Sequence, residues 1–177
     1  MGAELGGTGL AVEAGHASFT EFVRARSDRF GDLAWLITRN AEDARDAVQD
    51  AFVGLYRRWD DLPTGDEFEA YVHRTVVNAC LGVIRRRPRS LPVAEPERLR
   101  SAPVSPDAAD ALAASDEVWR LCGELKPVQR TAVVLRFYAD LDYADIADAL
   151  GCAEATARSH VHRATRQLRS RLDRGQQ

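Results

Sequence analysis

Residues 127 to 172 constrain the chain most, because they spell out a helix, a second short helix, a tight turn and a long basic helix. Pro127 suits a first helical position, where the missing N–H has no partner to lose. Val128, Ala132, Leu135 and Tyr138 then recur at helical spacing. Tyr143 to Leu150 follows as a short helix that buries Ile146, Ala147 and Leu150, closed by Gly151, the residue best suited to a left-handed cap. After only Cys152 and Ala153 the chain enters a third helix with an inner stripe of Ala157, Val161, Ala164 and Leu168. Its outer face carries Arg158, Ser159, His162, Arg163 and Arg166. Two helices joined by a tight glycine turn, the second one basic, form a helix-turn-helix. Arginine forks can pair with guanine edges in a major groove, and Ser or His can donate to bases or phosphates.

Composition limits what such a motif can do alone. The net charge is −3, wrong for a protein that coats nucleic acid indiscriminately. The charge is segregated, however: residues 42 to 69 are dominated by Asp and Glu, whereas 74 to 100 and 158 to 174 are basic. DNA binding is therefore expected through local patches, and weakly unless a partner holds the chain in place. The hydrophobic fraction of 45% and charged fraction of 29% suit a soluble globular fold. No apolar run approaches the roughly 20 residues that cross a bilayer, so no membrane insertion is expected. Cys80, Cys122 and Cys152 are far apart and form no C-x-x-C pair, which predicts small core residues in a reducing cytoplasm and no metal site. No cofactor is expected either: the chain has no Gly-rich phosphate loop and no Ser/His/Asp set on loops. Asp140, Asp142, Asp145 and Asp148 are the one tempting carboxylate group, and they read as solvated surface around a short helix.

Ahead of this region the periodicity predicts four further helices. Residues 1–17 read as a disordered Gly/Ala-rich tail. Ser18 to Phe30 forms a first helix with Ser18 as its cap and Glu21 in capping-box position, and Asp32 to Thr38 a second. Asn40 caps a third, Ala41 to Trp59, whose inner stripe is Ala44, Val48, Phe52, Leu55 and Trp59. Its opposite face shows Glu42, Asp46, Gln49, Asp50 and Val53, which on these residues alone fits solvated surface better than an interface. Pro63 and Gly65 break the chain, and a fourth helix runs from Phe68 to Arg87, burying Val72, Val76, Ala79 and Val83. Tyr71, His73, Arg74 and Asn78 lie along it beside a loop. That arrangement is either a rim of the core or a platform on which single-stranded bases stack.

Five prolines between Pro88 and Pro106 mark an extended linker, and Ser105-Pro106 opens one more helix with a stripe of Leu112, Ser115, Trp119, Cys122 and Leu125. The expected fold is all-α: two small helical domains, 18–88 and 106–172, joined by a Pro-rich linker over 89–105, with a C-terminal tail over 173–177.

The run Asp43-Ala-Arg-Asp-Ala-Val-Gln-Asp-Ala-Phe52, the segment Phe68-Glu-Ala-Tyr-Val-His-Arg-Thr-Val-Val-Asn78, and Tyr143-Ala-Asp-Ile-Ala-Asp-Ala-Leu-Gly-Cys152 with Thr156-Ala-Arg-Ser159 resemble the extracytoplasmic-function sigma factors of bacterial RNA polymerase, in their SigE-like actinobacterial subgroup. The resemblance spans about Phe19 to Leu172. It implies a sigma-two domain that docks on the polymerase clamp and melts the downstream promoter element. It also implies a sigma-four helix-turn-helix that reads the upstream element and touches the polymerase flap. Asp43, Asp46, Gln49, Asp50 and Val53 would then face core polymerase. Leu62, Thr64, Phe68, Tyr71, Arg74, Asn78, Arg85 and Arg86 would meet the melted strand, and Thr156, Arg158, Ser159, His162, Arg163 and Arg166 the upstream duplex. Core RNA polymerase and promoter DNA are the implied partners of a chain that is monomeric when free, with an anti-sigma protein as a further one. Tyr71 stands where the family usually has Trp, Gly82 where it often has Asp, and Ala157 where it usually has Val. Ala153 replaces the usual capping Ser or Thr, which weakens that end by about 1 kcal/mol.

The same residues leave two other readings: a stand-alone helix-turn-helix regulator, which would bind duplex tightly by itself, and an all-α interaction adaptor, which would bind a partner without promoting transcription.

Overall fold

A computed structural model describes residues 16–86 and 118–175, and every regular element among them is helical. The Gly/Ala-rich tail, the Pro-rich linker and the helix start at Ser105-Pro106 lie outside the described residues. Helix α1 runs His16–Thr38, one helix where the sequence predicted two. Gly31 does not break it, since an isolated helical glycine costs only about 1 kcal/mol. The buried stripe of Phe30, Leu33, Ala34 and Ile37 passes straight through that point and outweighs the cost. Ser18 consequently lies inside the helix and does not cap it.

Arg39, in the left-handed region at φ 57°, ends α1, and Asn40 begins α2 (Ala41–Tyr56) by accepting from the Asp43 backbone N–H through its side chain at 2.9 Å. Helix α2 stops three residues short of the expected Trp59. The chain instead tightens into a 3-10 turn over Trp59–Asp61, which swings the indole inward. There Trp59 meets Phe19, Phe22 and Phe68 with ring centroids 4.9, 5.2 and 5.7 Å apart. Tilted and edge-on aromatic pairs add about 0.5–1.5 kcal/mol each beyond area burial, which favours this inward placement. Helix α3 (Asp66–Arg86) starts two residues earlier than predicted. It buries Val72, Val76, Val77 and Cys80, with Ala79 and Val83 only half-buried. His73, which the sequence placed with the polar residues of this helix, is core. It is 5% exposed, its ring lies 5.4 Å from Phe30, and its Nδ1 bonds the Glu69 carbonyl at 2.9 Å. A bidentate Arg26–Glu69 pair ties α1 to α3 at 2.6 and 2.9 Å.

The C-terminal half opens with a helical turn at 118–122 (α4), followed by α5 (Pro127–Phe137), α6 (Tyr143–Leu150) and α7 (Glu154–Gly175). Pro127 occupies the first turn of α5, and Gly151, at φ 64°, ends α6 in the left-handed conformation that only glycine adopts without strain. Ala157, Val161, Ala164 and Leu168 form the buried stripe of α7 as expected. Leu121, Cys122 and Leu125 pack with Val133, Ala164 and Leu168, so the segment before α5 does cover the helix-turn-helix.

The two halves meet along α1, α3, α5 and α6, and one apolar cluster runs from Phe30, Val72 and Val76 through Leu135 and Ile146 to Val161. Arg130, 6% exposed, spans the junction. Its Nε donates to the Ile37 carbonyl of α1 at 2.7 Å, and its Nη1 to the carbonyls of Gly123 and Leu125 at 3.0 and 3.3 Å. Burial, together with the neighbouring Arg39 guanidinium, pushes Arg130 down to about 10, which leaves it charged at neutral pH. Tyr138 adds a hydroxyl that donates to Asp32 at 3.3 Å. Gly123 sits in a tight place, because a Cβ there would lie 3.0 Å from the Arg120 carbonyl and 3.1 Å from the Arg39 Nε, so a neighbour would have to shift slightly.

Two predictions follow from these buried groups. Arg130→Met strands three carbonyls and is expected to lower unfolding free energy by about 1–3 kcal/mol in urea titrations. Unchanged stability would show that those carbonyls do not depend on the guanidinium. Burial lowers the pKa of the His73 imidazole below its ordinary value. The unfolded chain therefore takes up that proton more readily, so the contribution of His73 is complete above about pH 6.5 and is lost as pH falls. Thermal unfolding of His73→Gln should depend less on pH than the parent between about pH 7 and 5.5.

Candidate nucleic-acid and polymerase interfaces

Helix α7 displays the basic face that its sequence promised. Arg158, Ser159, His162, Arg163 and Arg166 are exposed, as is Thr156 one turn nearer the N-terminus. Arg158, Ser159, His162 and Arg163 together line a shallow open depression. The side chains are not equally free. Ser159 donates to the Ala155 carbonyl of its own helix at 2.8 Å, a back-bond that occupies its one proton. Arg158 bonds Glu154 at 2.6 Å and lies 4.5 Å from the ring centroid of Tyr143 on α6. The single carbonyl of Ala153 accepts from the N–H groups of both Thr156 and Ala157, but its methyl side chain cannot cap.

Helix α3 presents a second stripe. Tyr71 and Arg74 are half-buried, and Asn78, Arg85 and Arg86 are exposed, at steps that keep all five on one face. Tyr71 is framed by cations: the guanidinium carbons of Arg74 and Arg58 lie 5.5 and 5.9 Å from its ring centroid, and Arg58 donates to its hydroxyl at 3.2 Å. In the loop before α3, Leu62 is half-buried and Thr64 exposed. Phe68 differs from its neighbours, because its ring is packed against Phe22 at 5.5 Å as well as Trp59. Gly82 leaves a gap in the stripe, with only the ends of Arg85 and Arg86 near it.

Arg74 also reaches the other half of the chain, pairing with Asp148 of α6 at 3.3 Å. The sequence read Asp148 as solvated surface. Both partners remain substantially exposed, so the pair is worth under about 1 kcal/mol and can be exchanged for a phosphate at little cost. The neighbouring acids have local tasks as well. Asp142 caps α6 by accepting from the Asp145 N–H at 2.8 Å, and Asp140 faces Arg136 at 3.7 Å. Burial, with the charges of Asp142 and Asp148, raises the pKa of Asp145.

The third surface is the outer face of α2. Asp46, Gln49, Asp50 and Val53 are exposed and aligned, while Asp43 is half-buried in the first turn, where the helix dipole favours an acid. Val53 is 44% exposed, and Tyr56, one step further along the same face, is 46% exposed. Tyr56 was missed in the sequence. The signal was available: a large apolar side chain three residues past Val53, off the inner stripe. Two adjacent apolar side chains beside aligned acids are unlike a plain solvated face.

An all-α chain with a basic recognition helix, an arginine-framed aromatic stripe and an acidic-apolar face is a DNA-reading factor built to work with a protein partner. Residues 22–90 match the Sigma-70 region 2 family, and residues 115–168 match Sigma-70 region 4. The ECF RNA polymerase sigma factor SigE of Mycolicibacterium smegmatis is 34% identical over 182 residues, covering 93% of this chain and 68% of the relative. The RNA polymerase sigma-E factor of Streptomyces avermitilis is 32% identical over 155 residues, covering 88% and 85%. Among solved structures, the sigma factor RpoE of Bartonella quintana, bound to the anti-sigma factor NepR, shares the fold with a TM-score of 0.68 at 23% identity, covering 88% of this chain and 96% of that one. The chain belongs to the extracytoplasmic-function family of RNA polymerase sigma factors. It is a transcription-initiation subunit that joins core polymerase and directs it to promoters, and it is not an enzyme. No described helix is long and apolar enough to cross a membrane.

Proposed function

We propose that the three faces divide the work of promoter opening. Residues 18–88 form the unit that docks on the polymerase clamp and captures the melted downstream element, and residues 106–172 form the unit that reads the upstream element and meets the flap, with 89–105 as the tether. Asp43, Asp46, Gln49, Asp50, Val53 and Tyr56 of α2 face the clamp. Tyr71, Arg74, Asn78, Arg85 and Arg86 of α3, with Leu62 and Thr64 of the preceding loop, hold the displaced strand. Phe68 fixes that loop from below. Thr156, Arg158, Ser159, His162, Arg163 and Arg166 of α7 read the upstream duplex. The observation that carries this reading is the coexistence, on one small helical chain, of an exposed basic face on α7 and an exposed acidic-apolar face on α2.

The physical logic is additive. Extruding a base and melting duplex costs a few kcal/mol, which neither a chain of net charge −3 nor one recognition helix supplies alone. Clamp docking and upstream contacts provide that energy before the strand is captured. The Arg74–Asp148 pair must open for Arg74 to reach the strand, and its small worth makes that exchange easy. Such a factor acts in the cytoplasm, is monomeric before it meets polymerase, and is a candidate for control by an anti-sigma protein, as the RpoE relative is seen with NepR.

Transcription in vitro tests this reading: the purified chain is added to sigma-free core polymerase on a fragment library, and the RNA starts are sequenced. Starts that share two upstream motifs at fixed spacing, and are absent without the chain, are the expected result. Tight binding of the chain alone to one duplex, without starts, would favour a stand-alone regulator. Asp50→Arg should abolish association with core polymerase in gel filtration while leaving the circular dichroism unchanged, and unaltered association would place the clamp face elsewhere. Asn78→Ala is expected to reduce permanganate reactivity of the melted bubble several-fold more than it reduces polymerase binding. An equal effect on both would remove Asn78 from the strand face.

A further inference from the structure

Arg158 is an exposed arginine on a surface helix, and such a side chain ordinarily keeps most of its rotamer freedom. Here two contacts from two different elements converge on it. The Tyr143 ring, at the first position of α6, lies 4.5 Å from the Arg158 guanidinium carbon, well inside the distance at which a cation is attracted to a π face. Glu154, one turn earlier on α7, accepts from Arg158 Nη2 at 2.6 Å, in the Glu-before-Arg order that favours the pair.

A second guanidinium also lies near the ring. Arg136, in the last turn of α5, lies 5.6 Å from the centroid of Tyr143 and is anchored by donating to the Leu141 carbonyl at 3.0 Å. Asp142 caps α6 immediately before Tyr143 and fixes where that helix begins. A continuous set of contacts therefore runs from α5 through the first residue of α6 to the first turns of α7.

On the reading of α7 as the upstream-element helix, we infer that Tyr143 is a positioning residue for base recognition. With Glu154 it holds the Arg158 guanidinium over the N-terminal end of α7, aimed at a guanine in the major groove. Three physical points support this. Helical side chains lean toward the helix N-terminus, the end of a recognition helix that meets base edges. The carboxylate occupies one N–H of the guanidinium and leaves others for the guanine O6 and N7. The same carboxylate repels phosphate oxygens, so it steers Arg158 from the backbone toward the bases, and it can itself accept from the N4 amino group of the paired cytosine. Neither Tyr143 nor Glu154 stands out in the sequence by charge or exposure on the reading face. Glu154 reaches Arg158 by helical spacing alone, but only the fold brings Tyr143 to it.

The test uses holoenzyme made from core polymerase and the full chain, transcribing a promoter library randomised across the upstream element. Arg158→Ala should lose guanine preference at one position by roughly five- to a hundredfold. Tyr143→Leu keeps an apolar side chain but no π face, and should lose roughly two- to fivefold at that same position and none elsewhere. Tyr143→Phe should retain the preference, and Tyr143→Leu combined with Arg158→Ala should lose no more than Arg158→Ala alone. Glu154→Gln changes only an exposed side chain, so it checks the tether without disturbing the core, and should weaken the same position. If Arg158→Ala shifts a position that neither Tyr143→Leu nor Glu154→Gln shifts, the positioning role is overturned while α7 keeps its place as the reader. If Arg158→Ala shifts no position, that assignment of Arg158 and this inference fail together. A uniform loss shared by Tyr143→Leu and Tyr143→Phe would make the hydroxyl a phosphate contact and overturn the positioning role.

Discussion

A single buried cation holds the described structure in register. Arg130 comes from α5, yet the carbonyls it satisfies belong to the end of α1 and to the turn before α5 itself. Ile37 lies in the last turn of α1, where carbonyls have no partner within the helix and the dipole favours positive charge. Among the described residues its hydrogen-bond partners are these carbonyls, whose oriented dipoles offset the charge. Burying a guanidinium is expensive, and doing so is tolerable only while those carbonyls stay in place. The joint between the halves is thus specific in geometry as well as apolar, since one continuous hydrophobic cluster also crosses it.

Around that joint the N-terminal helices share one aromatic core. Phe19, Phe22, Phe30, Phe52, Trp59 and Phe68 interlock across α1, α2 and α3, and fix the directions of the helices. Outside this joint α2 exposes its acids and Val53, and α3 exposes Asn78, while Tyr56 edges onto the joint with its ring 5.1 Å from Phe19. A rigid core behind adaptable surface groups is the arrangement that lets docking energy be transmitted to strand capture and not dissipated in helix motion. Phe68, in the first turn of α3, shows the division locally: its ring belongs to the core, while Thr64 in the preceding loop is exposed.

Charge segregation gives the function its conditional character. The basic face of α7 and the acidic face of α2 belong to one chain of net charge −3, and on the proposed reading they attract different partners, DNA and protein. Salt weakens both, and neither is strong alone. Recognition by a sigma factor is accordingly cooperative: polymerase supplies the proximity that lets a few base contacts count.

The helix-turn-helix was legible in the sequence almost residue for residue, because Pro127, Gly151 and the four-three-four stripe of Ala157, Val161, Ala164 and Leu168 encode local rules. So was the Asn40 cap of α2, which needs only its own neighbours. Exposure of Arg158, Arg163 and Arg166 on α7 followed from the same periodicity. What local rules could not settle was decided by packing between elements. Gly31 looked like a break, but the core stripe carried α1 through it; Trp59 looked helical, but the aromatic joint pulled it into a 3-10 turn. His73 looked like a surface polar group, and Phe30 together with the Glu69 carbonyl made it core. Asp148 and Tyr143 gained their partners, Arg74 and Arg158, only from helices brought alongside them. Sequence fixes what depends on neighbours three or four residues away. Contacts such as Arg130 with Ile37, 93 positions apart, exist only once the chain has folded.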